Sequence, residues 1–312
     1  MARLLTVAAP DSVEINSQVD AAGSTPKAPV DPQELLRPFF DLRPSRLVRG
    51  VPAEEYHAWK AVNASLLKKA TPKEQLFSIM EPNIPTGAMM QGTITHSAVL
   101  EPEMFATEKW KDHYQIFTKT KTLDSKAALE ALAADPRPLI TPEMLETAHR
   151  SRDAVWAHKE AARLLLEPGA CEVSGEAWDQ EMCCMRKARF DRLPDNRECG
   201  IIDLKSTASR LLAHPFRSEV YKYGYHIQGA SYLDTLQMIE GGKVRPSFWI
   251  IAVTNIAPFM CRVFELEQTL PEVSFIVKGR DLYQERFASF VLAYAENAFD
   301  GYENEGGFVL TT

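Results

Sequence analysis

The chain has 312 residues, 45% hydrophobic and 25% charged, with a formal net charge of −7 at pH 7. That is ordinary globular composition with length enough for a real core, it contains no apolar run able to span a membrane, and its acidity excludes a surface coated in nucleic-acid-binding charge. Five cysteines with no C-x-x-C spacing argue against a zinc ribbon or a disulfide scaffold, so a reduced, cytoplasmic chain is expected.

Residues 1–50 read as a partly disordered tail, because six of the 20 prolines fall there and residues 17–32 are rich in Ser, Ala, Pro and Asp. A short extended piece is expected at Leu35–Leu42, and Met1–Val7 is too short for a signal peptide. Residues 51–312 are expected to form one domain. Ala53–Trp59 suggests a turn of helix, and Asn63 suggests an N-cap for Ala64–Ala70. Gly87–Leu100 reads as a helix stopped by Pro102, with Gly92 and His96 on one face. A further helix is expected near Ser125–Ala134. Thr141-Pro142-Glu143 is a helix start, and that helix is expected to run to Leu166, before Pro168-Gly169.

The strands follow. Cys171–Trp178 and Glu181–Leu193 alternate as strands, Leu193-Pro194-Asp195-Asn196 signals a turn, and Gly200–Thr207 returns as the next strand. Tyr221–Glu240 reads as one helix ended by Gly241-Gly242. Ser247–Thr254 and Phe259–Leu266 are two more strands, and Val273–Phe299 is a long amphipathic helix ended by Gly301.

Side chains alternate along a strand, so Asp203 and Lys205 share one face while Ile202 and Leu204 face a core. A carboxylate there can hold a hard cation, and a lysine beside it can orient water or stabilise charge on a phosphate. D-x-K by itself is common on solvated strand faces. The turn at 193–196 places Asp191 beside Asp203 on adjacent strands. Between Arg186 and Lys222 there are nine Lys/Arg against five Asp/Glu, a basic island on an acidic chain. It suits either a solvated surface or a phosphate-binding one.

The spacing D-(x11)-D-x-K resembles the PD-(D/E)XK nuclease core, with Phe190 where that motif has Pro. Gly92-Thr93-Ile94-Thr95-His96-Ser97-Ala98-Val99-Leu100-Glu101-Pro102 resembles the G-T-x-x-H-x-x-x-L-E-P segment of RecE-type exonucleases, the exonuclease VIII branch of the RecB-like nucleases. Tyr223-Gly224-Tyr225-His226-Ile227-Gln228-Gly229-Ala230-Ser231-Tyr232 resembles that branch's Y-x-Y-H-x-Q-x-A-x-Y. The four segments occur in the family's order, over roughly residues 55–300. The resemblance implies an α/β fold: a restriction-endonuclease-like core with a mixed central sheet flanked by helices.

It also implies a Mg²⁺-dependent exodeoxyribonuclease, with Mn²⁺ as a substitute, degrading linear double-stranded DNA from the 5′ strand. His96, Asp191 and Asp203 would be metal ligands, with the Leu204 carbonyl a further one. Asp191, Asp203 and Lys205 would be catalytic, and Gln228 and Tyr232 would position DNA or the lysine. Glu172 is a weaker candidate, Tyr225 and His226 read as structural, and Arg186, Arg189 and Arg192 are phosphate-contact candidates. The implied setting is phage or prophage recombination, with double-stranded DNA ends as substrate and a single-strand annealing protein as partner. A ring-shaped homo-oligomer, trimer or tetramer, is expected, with no membrane contact. Two alternatives stay open: a structure-specific or CRISPR-associated endonuclease on the same core, and an inactive module that binds DNA ends.

Overall fold

The computed structural model describes residues 31–81, 85–119, 123, 125–268 and 274–299. The body begins at Pro32. In order it comprises α1 (Pro32–Leu36), β1 (Arg46–Val48), α2 (Ala53–Ala58), α3 (Ala64–Leu67), α4 (Pro72–Met80), α5 (Gly87–Leu100), α6 (Pro102–Ala106), β2 (Gln115–Ile116), α7 (Lys126–Ala134), β3 (Leu139–Ile140), α8 (Pro142–Ala157) and α9 (Lys159–Leu166). There follow β4 (Gly169–Asp179), β5 (Cys184–Pro194), β6 (Ile201–Thr207), α10 (Ala213–Lys222), α11 (Tyr225–Ile239), β7 (Ser247–Thr254), β8 (Cys261–Glu267) and α12 (Phe275–Glu296).

Six strands form one sheet in the order β1-β4-β5-β6-β7-β8, and β2 and β3 form a separate parallel pair. Every neighbouring pair in the large sheet is antiparallel except β6 and β7. The sheet is therefore mixed, as the expected core requires. Its two faces are covered by different helices. Ile201, Phe248, Ile250 and Ala252 pack with Leu66 and Leu67 of α3, Ile227 and Leu233 of α11, and Tyr283 and Phe287 of α12. Ile202, Leu204, Ile251 and Val253 pack with Val99 of α5, Val155 of α8 and Leu164 of α9. Burying β-branched and aromatic side chains on both faces explains why β7 reads as a nearly continuous apolar run.

Four expectations are corrected. Residues 32–50, expected in the tail, belong to the body: Leu36 and Phe39 are buried, and Arg46–Val48 pairs with Ser174–Glu176 as an edge strand. Leu35–Leu42 is not extended, since helical turns run through Phe39. The helix expected over Tyr221–Glu240 is two helices, because Gly224 takes a left-handed φ of 64° and restarts the chain as α11. Likewise the helix from Thr141 stops at Ala157, where His158 caps α9 through its ring nitrogen. The expectations for residues 1–30 and for Gly301 lie outside the described residues.

Candidate active site

Asp191 and Asp203 face each other across the β5–β6 pair, where Arg192 is in register with Ile202. The Leu204 N–H donates to Asp191 Oδ2 at 2.8 Å. This bond ties the first carboxylate to the strand that carries the second. Asp203 is 1% exposed, and its Oδ2 pairs with Lys205 Nζ at 2.5 Å. Its Oδ1 accepts from Gln228 Nε2 of α11 at 2.8 Å. The strand alternation thus works as read: Asp203 and Lys205 meet on the α11 side, while Ile202 and Leu204 enter the opposite core.

His96 comes from α5, and its Nδ1 lies 3.5 Å from Asp191 Oδ2. A Cβ added at Gly92, one turn earlier, would meet the Ser206 hydroxyl at 3.6 Å, an ordinary contact, so no close backbone approach depends on this glycine. Burial and the Lys205 charge push the His96 imidazole below its ordinary value, so it is neutral at pH 7. Neutral imidazole is the form that binds metals.

Glu172, the weaker candidate, joins this group. Donor atoms of His96, Glu172 and Asp191 all lie within 4.8 Å of one another. Glu172 sits opposite Asp191 on β4 in a left-handed conformation, φ 50°, and the ladder skips from Cys171–Arg192 to Val173–Phe190. The kink shows in the packing: Cys171 contacts one core and Val173 the other, although strict alternation would put both on one face. A non-glycine residue held at positive φ inside a strand stores strain of the kind concentrated at functional sites.

Burial, then the Asp203 carboxylate, raise Asp191 well above the usual carboxylate range. Glu172 adds to this, and Lys205 and the Leu204 N–H oppose it. Lys205 shows the converse. Burial alone would lower its ammonium, but Asp203 and Asp191 outweigh burial and hold it above the ordinary lysine value. Crowded acids beside a neutral imidazole make a hard, oxygen-rich donor set with excess negative charge, which fits a divalent cation. Asp203 lies outside the tight donor group, and its oxygens are engaged by Lys205 and Gln228. The Leu204 N–H is engaged as well, donating to Asp191 Oδ2.

A family model described as a PDDEXK-like domain of unknown function (DUF3799) matches residues 58–277. The chain belongs to this family. Nucleases of the PD-(D/E)XK type typically use divalent metals, in keeping with the donor set. A solved structure of a "putative exonuclease" from Eubacterium rectale matches this PDDEXK-like chain with a TM-score of 0.54 at 14% identity. The match covers 81% of this chain and 89% of that one, and it shows the shared fold. No curated protein matches the chain.

The remaining candidates in this PDDEXK-like domain divide. Tyr232 lines one pocket with Asp191 and Gln228, and its ring meets Phe190 and Phe248 edge-on. Burial raises its hydroxyl well above the ordinary tyrosine value, so it stays protonated. Gln228 holds Asp203 rather than Lys205. The three arginines are committed within the fold: Arg186 is buried against Asp179, Ser231 and Tyr283, Arg189 binds Glu172 and the Val51 carbonyl, and Arg192 binds the Glu167 carbonyl. Tyr225 is nearer the chemistry than its structural reading suggested. Lys205 lies 5.3 Å from its ring centroid and Lys68 5.8 Å. Lys68 is a residue that sequence reasoning missed. It follows the Asn63-capped α3, and nothing in its local sequence connects it to Gln228, 160 residues later.

Proposed function

We propose that this chain is a divalent-metal-dependent exodeoxyribonuclease of the RecE type, acting on ends of linear double-stranded DNA. The observation that carries the reading is the facing pair Asp191 and Asp203, with Lys205 ion-paired to the latter and His96 and Glu172 gathered on the former. The family and the shared fold support a nuclease, and the sequence segments around His96 and Gln228 support the RecE branch within it. Mg²⁺ is the proposed ion, with Mn²⁺ substituting, held by His96, Glu172 and Asp191 on one side and Asp203 on the other. When bound, such an ion supplies positive charge to a phosphate and a water of lowered pKa.

The chain's own residues do the rest. Lys205 carries a firm positive charge on a rigid strand, where it can hold the attacking water or a phosphate oxygen. Gln228 fixes the orientation of Asp203. Tyr232 remains a hydrogen-bonding phenol at the pocket wall. The setting proposed is the bacterial cytoplasm, in phage or prophage recombination, where resection of the 5′ strand exposes single strands for an annealing protein.

The test uses linear duplexes labelled separately at each end, together with a closed circle of the same sequence. Release of label from the 5′ strand with Mg²⁺, an intact circle and no release in chelator is the expected result. Cutting of the circle would make it an endonuclease, and binding without any cleavage would make it an end-binding module. Full activity in chelator would remove the metal from the reading.

A further inference from the structure

The pocket holding Asp191, Gln228 and Tyr232 also holds His57, Asn63 and Ser65. Those three line a second, larger hollow of about 780 Å³, whose wall includes Lys60, Lys68, Lys69 and Lys187 against one acid, Glu81. The acidic cluster therefore opens directly into a basic basin. Lys187 is already spent within the fold, donating to the carbonyls of Tyr56, His57 and Trp59. Lys68 stands at the join. Its ammonium donates to Gln228 Oε1 at 3.2 Å, and Gln228 in turn donates to Asp203 Oδ1.

An ammonium has three donors, and Gln228 is the one hydrogen-bond acceptor that Lys68 meets among the described residues. Its stem is clamped beside Gly224, where an added Cβ would lie 3.0 to 3.3 Å from three of its carbons. Burial, then the Lys205 charge, pull the ammonium down to about 8, with Asp203 opposing. A half-buried cation short of acceptors and repelled by a second cation is costly, and an anion with several oxygens would relieve it.

We infer that Lys68 is a phosphate-contacting residue of this site, gripping a backbone phosphate of the nucleic-acid strand where it passes from the acidic cluster into the basic hollow. The inference rests on the nuclease reading above. It also gives Gln228 a second role. Its carbonyl oxygen parks Lys68 and its amide parks Asp203, so one side chain sets the spacing between a cation and a catalytic carboxylate.

The test reads binding in chelator, so that turnover does not enter. Anisotropy of a labelled linear duplex is followed from roughly 50 to 200 mM salt. Removing one phosphate contact flattens the slope of log K against log salt by about 0.9 for duplex and about 0.7 for a single strand. Lys68→Gln keeps a donor for Gln228 but removes the charge, and it is expected to flatten the slope by about that amount. Lys68→Arg is expected to keep the slope, as is Lys126→Gln on α7. Should the Gln variant not fold, Lys68→Met gives the same reading. On the unaltered chain, saturating duplex is expected to shield Lys68 from amine acylation at pH 8, read by mass spectrometry. An unchanged slope in Lys68→Gln, or acylation indifferent to DNA, overturns the inference while leaving a cleaving enzyme intact. A parent chain that neither binds nor cuts DNA overturns the nuclease reading and this inference together.

Discussion

Asp191 and Asp203 are both acids of the same motif, yet they bear on stability in opposite directions. Crowding decides the case of Asp191, whose carboxyl is pushed well up by burial, Asp203 and Glu172. A carboxyl whose folded pKa exceeds its unfolded value, about 3.9, costs stability as pH rises through that interval, because the folded state then holds the extra proton. Asp191→Asn should therefore raise the melting temperature in chelator at pH 7. A gain of roughly 2–4 °C corresponds to about 1 kcal/mol in a domain of this class. The gain should vanish below about pH 3.9, where the carboxyl is protonated in both states. Asp203→Asn should do the reverse. It leaves the Lys205 ammonium, 17% exposed, without its partner, and breaking a buried pair costs on the order of 3 kcal/mol. Cleavage should fall by orders of magnitude in both. Thermal melts in chelator separate them, and a destabilised Asp191→Asn would contradict the crowding argument. Strand spacing made these two acids and Lys205 legible, and the family resemblance pointed to His96, Gln228 and Tyr232. Glu172 and Lys68 join them only through a kinked strand and a helix far off in the chain, which no local pattern encodes.

At the scale of elements, α11 matters most, because Gln228 and Tyr232 both ride on it. Its position is set by a backbone crossing with α12. A Cβ on Gly279 would fall 2.1 Å from the His226 carbonyl oxygen and 2.4 Å from its carbonyl carbon. Backbone cannot swing aside as a side chain can, so the helices would have to separate and carry Gln228 away from Asp203. Gly279→Ala should cost about 3 kcal/mol, the upper range for overpacking. It should also lower turnover more than Ala230→Gly, which trims the same helix without spreading it. Denaturant titration and kcat check the pair, and a neutral Gly279→Ala would mean that α11 is located by its other contacts. The strands of the central sheet were readable from β-branched runs and turn residues. The close helix crossing was not, since a glycine inside Val273–Phe299 looks like any weak helix position. The edge strand Arg46–Val48 was hidden for another reason: three residues after a proline-rich stretch carry too little pattern to outweigh the tail around them.

For the whole molecule the proposed function raises the difficulty of staying on the substrate. The chain carries −7 overall, while Lys60, Lys68, Lys69 and Lys187 line one hollow beside the site. Binding through a few phosphate contacts is weak and falls steeply with salt, and an acidic body repels the rest of the polyanion. An enzyme that removes many nucleotides per encounter needs either more contacts or a topological tether. A closed ring supplies both, because cyclic symmetry turns one heterologous contact into a closed set that brings several basic hollows around one channel. The expected assembly is a homo-oligomer, trimer or tetramer, with the acidic surfaces outward. Sedimentation at working concentration should give a mass several times 35.0 kDa. Digestion of a long linear duplex should continue after excess unlabelled competitor is added, because enclosed DNA leaves only at its ends. Raising salt after loading should slow release far less than it weakens initial binding, since the first depends on threading and the second on charge. A monomer that releases its duplex to competitor after each cut would rule out the ring and leave the cleavage chemistry proposed for Asp191, Asp203 and Lys205 where it stands.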